Sequence, residues 1–436
     1  MYRFIEKRLL EWKNHPRRKP LLIRGARQVG KTYSVLDFGK KYFKGKTIHL
    51  DLEKRTDLHL IFQPDLDARR IVSDLEIALS TRITPGEDLL FLDEIQSCPR
   101  ALAALRYFYE DLPDLHIIAA GSLLDFAFED FHFPVGRVQF LEMRPMSFVE
   151  YLLAMGNEQA VAVINQSNMK ISPAAHEMLL NLLRRYLFVG GMPECVKVQV
   201  ETASLTEVFE CQRSLIESFK DDFGKYSPKA DRYCLEAVMI NSARSIGNQI
   251  VYTKLADGFS GPTIKKAFDL LRKARLVHKV RAASPAGIPL GATASERKFK
   301  ALFLDIGLMQ QFSGIQISEE YYKKDLLGIY QGKLAEQFVG QELLAAGVKQ
   351  LYYWAREARS STAEVDYLIE KDGNILPIEV KSGPTGKLKS LHLLLKSYPQ
   401  IPKGLVVSSA PHGFNPEHKI EFIPLYALSR LVGDTR

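Results

Sequence analysis

Residues Gly25-Ala26-Arg27-Gln28-Val29-Gly30-Lys31-Thr32 carry the GxxxxGKT spacing of a phosphate-binding loop. The two glycines let the backbone curl until successive N–H groups point inward at polyphosphate oxygens. Lys31 adds a cation for the terminal phosphates, and the Thr32 hydroxyl adds a ligand for Mg2+. A second reactive pair, Asp93-Glu94, closes the apolar run Leu89-Leu90-Phe91-Leu92. Asp93 is expected to support Mg2+, commonly through water, and Glu94 to orient and deprotonate an attacking water. A third apolar run, His116 to Ala120, ends in Gly121-Ser122, where the Ser122 hydroxyl is placed to sense a γ-phosphate. ATP and Mg2+ are the cofactors these residues imply, and ATP hydrolysis is the reaction.

A different chemistry is written near the carboxy terminus. Asp366, Glu379 and Lys381 have the spacing D-x(12)-E-x-K of the PD-(D/E)XK nuclease core, and Glu336 lies on a helix-compatible segment upstream. Glu364 to Glu370 reads as a strand, Lys371-Asp372-Gly373-Asn374 as a hairpin turn and Ile375 to Lys381 as its partner. Period-two alternation puts Glu379 and Lys381 on one face, and the hairpin return brings Asp366 to it. Carboxylates of this kind hold a divalent cation, with Asp366 and Glu379 as metal ligands, while a lysine positions water or stabilises charge on phosphate. The same residues also suit a nuclease-like fold that has lost catalysis and serves only for binding.

Two further groups are candidates. Arg137, in Gly136-Arg137, and Arg144 lie downstream of Ser122, and an arginine here can reach a γ-phosphate in its own subunit or across the interface of a homo-oligomer. Arg137 is the preferred finger; a surface salt bridge is the competing reading. The breaker cluster Gly190-Gly191-Met192-Pro193-Glu194 is either an inter-helix turn or, through Pro193, a surface against the adenine.

Alternating apolar strands and amphipathic stretches make the fold class α/β. Four segments are expected. Residues 1–150 form a P-loop ATPase domain with a parallel sheet, and 151–225 a helical lid or linker. Residues 226–320 form a winged helix, and 321–436 an α/β nuclease-like domain. The winged helix would use helices over Tyr233 to Ser245, Tyr252 to Ala256 and from Pro262 onward. Its wing would use Val277 to Val280 and Phe299 to Leu304. The third helix carries Lys265, Lys266, Arg272, Lys273 and Arg275, cations suited to DNA phosphates.

Composition agrees with this plan. The 436 residues exceed one typical core; 46% apolar and 25% charged residues suit a soluble globular chain. A net charge of +8 favours polyanionic partners such as DNA. No apolar run is long enough to span a bilayer, and the first residues lack the pattern of a signal peptide. Four scattered cysteines (Cys98, Cys195, Cys211, Cys234) read as reduced thiols of a cytoplasmic protein.

The whole set of motifs resembles a bacterial and archaeal family of AAA-type ATPases related to the STAND clade, which pair an ATPase module with a carboxy-terminal domain of unknown function. The matching residues are Gly25 to Thr32, Phe91 to Gln96, Gly121-Ser122, Gly136-Arg137, Arg144 to Phe148 and Gly190 to Glu194. Later matches are Phe303 to Leu308, Gly332 to Phe338, Glu364 to Asp366 and Ile378 to Lys381. The resemblance implies ATP binding, a winged-helix element and a nuclease-like terminal domain. It leaves open a switch of STAND type that binds a protein partner and cuts nothing.

Overall fold

A computed structural model describes residues 1–126, 136–166, 171–226, 230–312, 332–356, 363–383 and 387–432. The chain divides into two compact units, Tyr2–Arg144 and Pro145–Arg436.

The first unit is a five-stranded parallel sheet in the order β2-β3-β4-β1-β5. Its strands are β1 (Leu21–Arg24), β2 (Thr47–Asp51), β3 (Leu89–Asp93), β4 (His116–Gly121) and β5 (Gln139–Glu142). The strands β3 and β4 are buried throughout, which is why they read as unbroken apolar runs. Among the described residues four helices accompany the sheet: α1 (Ile5–Asn14), α2 (Lys31–Tyr42), α3 (Ala68–Leu79) and α4 (Pro99–Asp111). Helix α3 is capped by the Asp67 side chain, and α4 begins with Pro99 where a missing N–H costs nothing. Because all five strands run the same way, the phosphate loop after β1, Asp93 at the end of β3 and Gly121 at the end of β4 share one edge of the sheet.

The second unit opens with helices α5 (Phe148–Ala154), α6 (Glu158–Ile164), α7 (Pro173–Val189), α8 (Pro193–Thr202), α9 (Leu205–Asp221) and the short α10 (Phe223–Tyr226). Next come α11 (Arg232–Arg244), α12 (Gly261–Lys273), the antiparallel pair β6 (Val277–Ala282) and β7 (Phe299–Phe303), and α13 (Ile306–Gln311). Between α11 and α12 the expected second helix is only a 3-10 turn at Tyr252–Lys254. Six residues separate Val251 from Gly258, too few to repay helix nucleation. The chain ends with α14 (Lys333–Ala345), β8 (Tyr352–Ala355), β9 (Glu364–Lys371), β10 (Asn374–Val380), α15 (Lys389–Ser397), β11 (Gly404–Ser408), β12 (Gly413–Asn415), β13 (Ile420–Pro424) and α16 (Ser429–Val432).

The hairpin β9–β10 turns on Asp372 and Gly373, both with positive φ, as a two-residue primed turn requires. A single sheet in the order β12-β13-β11-β10-β9-β8-β6-β7 runs across the expected border between the third and fourth segments, since β6 pairs in parallel with β8. The border itself, at residues 320 and 321, lies outside the described residues.

A buried polar junction explains three of the sequence motifs. Asp305 Oδ2 accepts from Gly191 N at 2.6 Å, and Asp305 Oδ1 caps α13 by accepting from Leu308 N at 3.1 Å. A Cβ on Gly190 would meet Asp305 Oδ1 at 2.2 Å, and one on Gly191 would meet the Met146 carbonyl oxygen at 2.1 Å. The glycine pair therefore permits this close approach. From α14, Gln337 bonds both ways with the Phe303 backbone, and Gln341 Oε1 accepts from Ile306 N at 2.8 Å. These glutamines supply the backbone partners that a strand-to-helix connection otherwise leaves unmet.

Glu342, one position on, accepts from Phe148 N at 2.9 Å and is fully enclosed. Burial, reinforced by the nearby Glu150, raises its pKa to about 8, against the opposing hydrogen bonds from Phe148 and Tyr186. The native state therefore holds a proton that the unfolded chain releases above pH ~4.3. Stability from this group is complete below that value and is lost as pH rises towards 8. Glu342→Gln should remove about 1.4 kcal/mol per pH unit of this fall between pH ~5 and ~8. Denaturant unfolding of both proteins across that range measures the difference.

Candidate active site and a buried carboxylate cluster

The first site is built by the parallel sheet. Gln28 and Gly30 have positive φ (62° and 92°), so the loop between β1 and α2 makes the tight curl that its glycine spacing predicts. Gly25 is close to Met143: a Cβ there would stand 2.3 Å from the Met143 carbonyl oxygen. Lys31 is buried, its Nζ donating to the carbonyls of Gly25 (3.1 Å) and Ala26 (2.8 Å) in its own loop. Thr32 Oγ1 donates to Asp93 Oδ2 at 2.7 Å, bringing the two expected Mg2+ supports together across 61 residues of sequence.

Glu94 takes the left-handed backbone region (φ 46°), a costly conformation for a residue with a Cβ. Gln96 Nε2 donates to Glu94 Oε2 at 2.6 Å, and Ser122 Oγ donates to the same oxygen at 3.5 Å. Arg27 Nε reaches Ser122 Oγ at 3.4 Å. The residues expected to act as base and as γ-phosphate sensor are thus in contact. Gly121 makes room for this: a Cβ there would meet Gln96 Oε1 at 2.2 Å.

Sequence reasoning overlooked three members of the site. His49 stacks on Phe91 and its Nε2 lies 3.3 Å from Asp93 Oδ2. Arg3 donates from inside the core to Val29 of the loop (2.9 Å) and to Arg144 (2.7 Å). Gln96 is the third; it was named only as the end of the run Phe91 to Gln96, and its place two residues after Glu94 was the local signal. Arg3 and His49 come from other elements and left none.

Arg137 does not join the site of its own subunit. It precedes β5, whose first residue Gln139 aligns with Leu21 at the start of β1, whereas the phosphate loop follows the other end of β1. Four strand residues separate those edges, roughly 13 Å at ~3.3 Å each. Arg137 Nε instead pairs with Glu110 Oε1 at 2.9 Å, the salt-bridge alternative. Pro193 is the first residue of α8, next to the glycine pair engaged by Met146 and Asp305.

The carboxy-terminal constellation assembles within the second unit. Asp366 and Glu379 lie opposite each other on β9 and β10, and Val380 N donates to Asp366 Oδ2 at 2.8 Å. Lys381 Nζ pairs with Glu379 Oε1 at 2.6 Å. Glu336 comes from α14. Two unforeseen residues complete the group. Glu364 is one, and Lys300 of β7, only 2% exposed, is the other. Lys300 Nζ stands 2.8 Å from Glu336 Oε1, 2.5 Å from Glu364 Oε1 and 3.7 Å from Asp366 Oδ1. Burial opposes its charge, yet Glu336, Asp366 and Glu364 hold its pKa above the ordinary lysine value.

Burial raises Glu336 and Glu379 to about 7; Lys300 opposes the shift at Glu336, and the adjacent Asp366 adds to it at both. Of the expected pair of metal ligands, Asp366 lies 3.7 Å from Lys300, while Glu379 pairs through Oε1 with Lys381 and its buried Oε2 has no hydrogen-bond partner among the described residues. Among the described residues no group of three or more His, Cys, Asp or Glu side chains is arranged to hold a metal ion. The signal in the sequence was one charge inside the apolar strand Phe299-Lys300-Ala301-Leu302-Phe303.

Residues 17–152 match the family model of an AAA domain. Residues 180–319 and 331–428 match two domains of unknown function, DUF8612 and DUF4143. No curated protein matches the chain in sequence. Among solved structures it is similar to Drosophila ORC bound to DNA, with 13% identity, a TM-score of 0.27 and coverage of 71% of this chain and 95% of that one. It is similar to the Aeropyrum pernix ORC1 protein in complex with DNA (12% identity, TM-score 0.29, 71% and 90% covered). A third is a STAND protein with a tetratricopeptide repeat sensor from Pyrococcus horikoshii (12% identity, TM-score 0.26, 78% and 45% covered). Likenesses this distant carry no weight for activity. The AAA match and the site geometry make the amino-terminal unit an AAA-type P-loop ATPase domain.

Lys31→Ala should weaken ATP binding about a hundredfold, since a charge-assisted contact is worth up to ~3 kcal/mol. Arg137→Ala should leave ATP affinity within about twofold, under ~0.5 kcal/mol. Titration with a fluorescent ATP analogue separates the two.

Proposed function

We propose that this protein is a Mg2+-dependent ATPase that couples ATP hydrolysis to DNA binding. The observation that carries the ATPase reading is the Thr32–Asp93 contact beside a curled, lysine-bearing phosphate loop. Loop amides hold the triphosphate, and Lys31 exchanges the Gly25 and Ala26 carbonyls for phosphate oxygens. Thr32 and Asp93 would hold Mg2+, which neutralises phosphate charge when bound. Glu94 takes the proton of the attacking water, and Ser122 with Arg27 reports the state of the γ-phosphate to Glu94 through their shared contact. A cytoplasmic location belongs to this reading, supported by four free thiols.

DNA binding is assigned to the segment 226–320 as a winged helix. Support comes from α12, which buries Ile264, Phe268 and Leu271 while Lys265, Lys266 and Arg272 are exposed. The wing cations Lys279 and Arg281 are engaged by Glu296 and Arg272 is paired with Asp269, so the assignment rests on Lys265 and Lys266 of α12. A nuclease-like terminal domain is supported by the run α14-β8-β9-β10-α15-β11 around Asp366, Glu379 and Lys381. A second reading, the nucleotide-controlled switch whose nuclease-like domain does not cut, is favoured by the placement of Lys300 among the carboxylates.

Glu94→Gln should keep ATP binding and slow turnover by about 10²–10⁴-fold. Unchanged turnover in a pure preparation would remove Glu94 as the base. Neutralising Lys265 and Lys266 together should weaken DNA binding and reduce the slope of log K against log salt by about 1.8. Binding that ignores salt would count against the DNA assignment.

A further inference from the structure

Glu336, Glu364, Asp366 and Glu379 have the donor chemistry of a hard divalent cation site. Between Glu336 and Glu364 the place such an ion needs is taken. An ion bonded at ~2.1 Å to the facing oxygens of Glu336 and Glu364 would overlap the position of Lys300 Nζ.

We propose that Lys300 is the resident cation of this cluster, so that the carboxy-terminal carboxylates exclude divalent metal and act as a lysine-locked joint between β7 and β9. Three observations support it. The ammonium, almost wholly enclosed, has carboxylates from α14 and β9 on its side of the cluster and the Tyr353 ring 5.2 Å away. Its backbone is fixed as well: Phe299 O accepts from Ile250 N at 2.8 Å, and Gln249 bridges to Lys300 itself. Finally, Lys381, which would serve substrate in a cutting site, is paired with Glu379. The proposal holds whether or not the first unit hydrolyses ATP.

Mn2+ binding to the nucleotide-free full chain, followed by electron paramagnetic resonance, tests it. Wild type should show no Mn2+ site that Asp366→Asn removes. Lys300→Met should gain one site per chain, at least about tenfold tighter than any in wild type. The double variant Lys300→Met with Asp366→Asn should lose it. A wild-type site abolished by Asp366→Asn would overturn the proposal. So would a Lys300→Met protein that is folded by circular dichroism and gains no site. If Lys300→Met does not fold, wild type against Asp366→Asn still decides whether metal is excluded.

Discussion

The second unit is organised by one buried ammonium. Strand β7 stands three places from β9 in the sheet order, about 14 Å in a flat sheet at ~4.8 Å per strand. A lysine side chain spans less than half of that, yet Lys300 reaches Glu364 on β9. The ion pair therefore ties together two strands that share no pairing of their own, across β6 and β8, which pair at only two residues. Enclosing a cation costs several kcal/mol in lost hydration, which only good geometry and several acceptors offset. Glu336 and Glu364 at hydrogen-bonding distance, with Asp366 behind them, meet that condition. Loss of any one partner strands charge inside the protein, so α14, β7 and β9 depend on each other.

The glutamines of α14 extend the same dependence. Gln337 and Gln341 lie one turn apart and satisfy the backbone on both sides of Leu304. Asp305, raised to about 6 by burial against the pull of its backbone donors, ties that connection to Gly191. Gln212 on α9 donates to the carbonyls of Phe188 and Val189 at the end of α7. Helix ends that meet inside a protein leave carbonyls without partners, and these side chains supply them. The helical region and the long sheet are joined through polar contacts that fix register, where apolar packing alone would tolerate sliding.

What could be read from the sequence follows from how far each contact reaches. The phosphate loop is local: eight consecutive residues determine its shape, and glycine and lysine positions announce it. The Asp93-Glu94 and Ser122 placements needed only parallel strands with their ends at one edge, which apolar runs imply. The hairpin β9–β10 was legible from Asp372-Gly373 and the alternation around it. Arg137 lies away from the loop of its own subunit because proximity in sequence to Ser122 says nothing about which end of the sheet a strand starts from. Lys300 was missed for the opposite reason. Its partners lie 36 to 66 residues away, and a lysine on a strand ordinarily reads as solvated. The short 3-10 turn at Tyr252–Lys254 failed as a helix because pattern was weighed without length.

The two functional regions each hold a lysine on acceptors of the chain itself, and the difference between the acceptors determines what each lysine can do. Lys31 rests on two neutral carbonyls in a loop whose curl suits phosphate, so a triphosphate offers it more charge than it gives up. On the proposed reading exchange is favourable, and the lysine is held in reserve for a ligand. Lys300, itself almost wholly buried, rests on carboxylates of a partly buried cluster. An incoming metal would have to displace an ammonium already matched in charge, and the expelled cation would then need a route to water from a residue only 2% exposed. Breaking such a pair costs about 3–5 kcal/mol before any new bond forms. The same residue type therefore marks an exchangeable binding position in one unit and a fixed joint in the other.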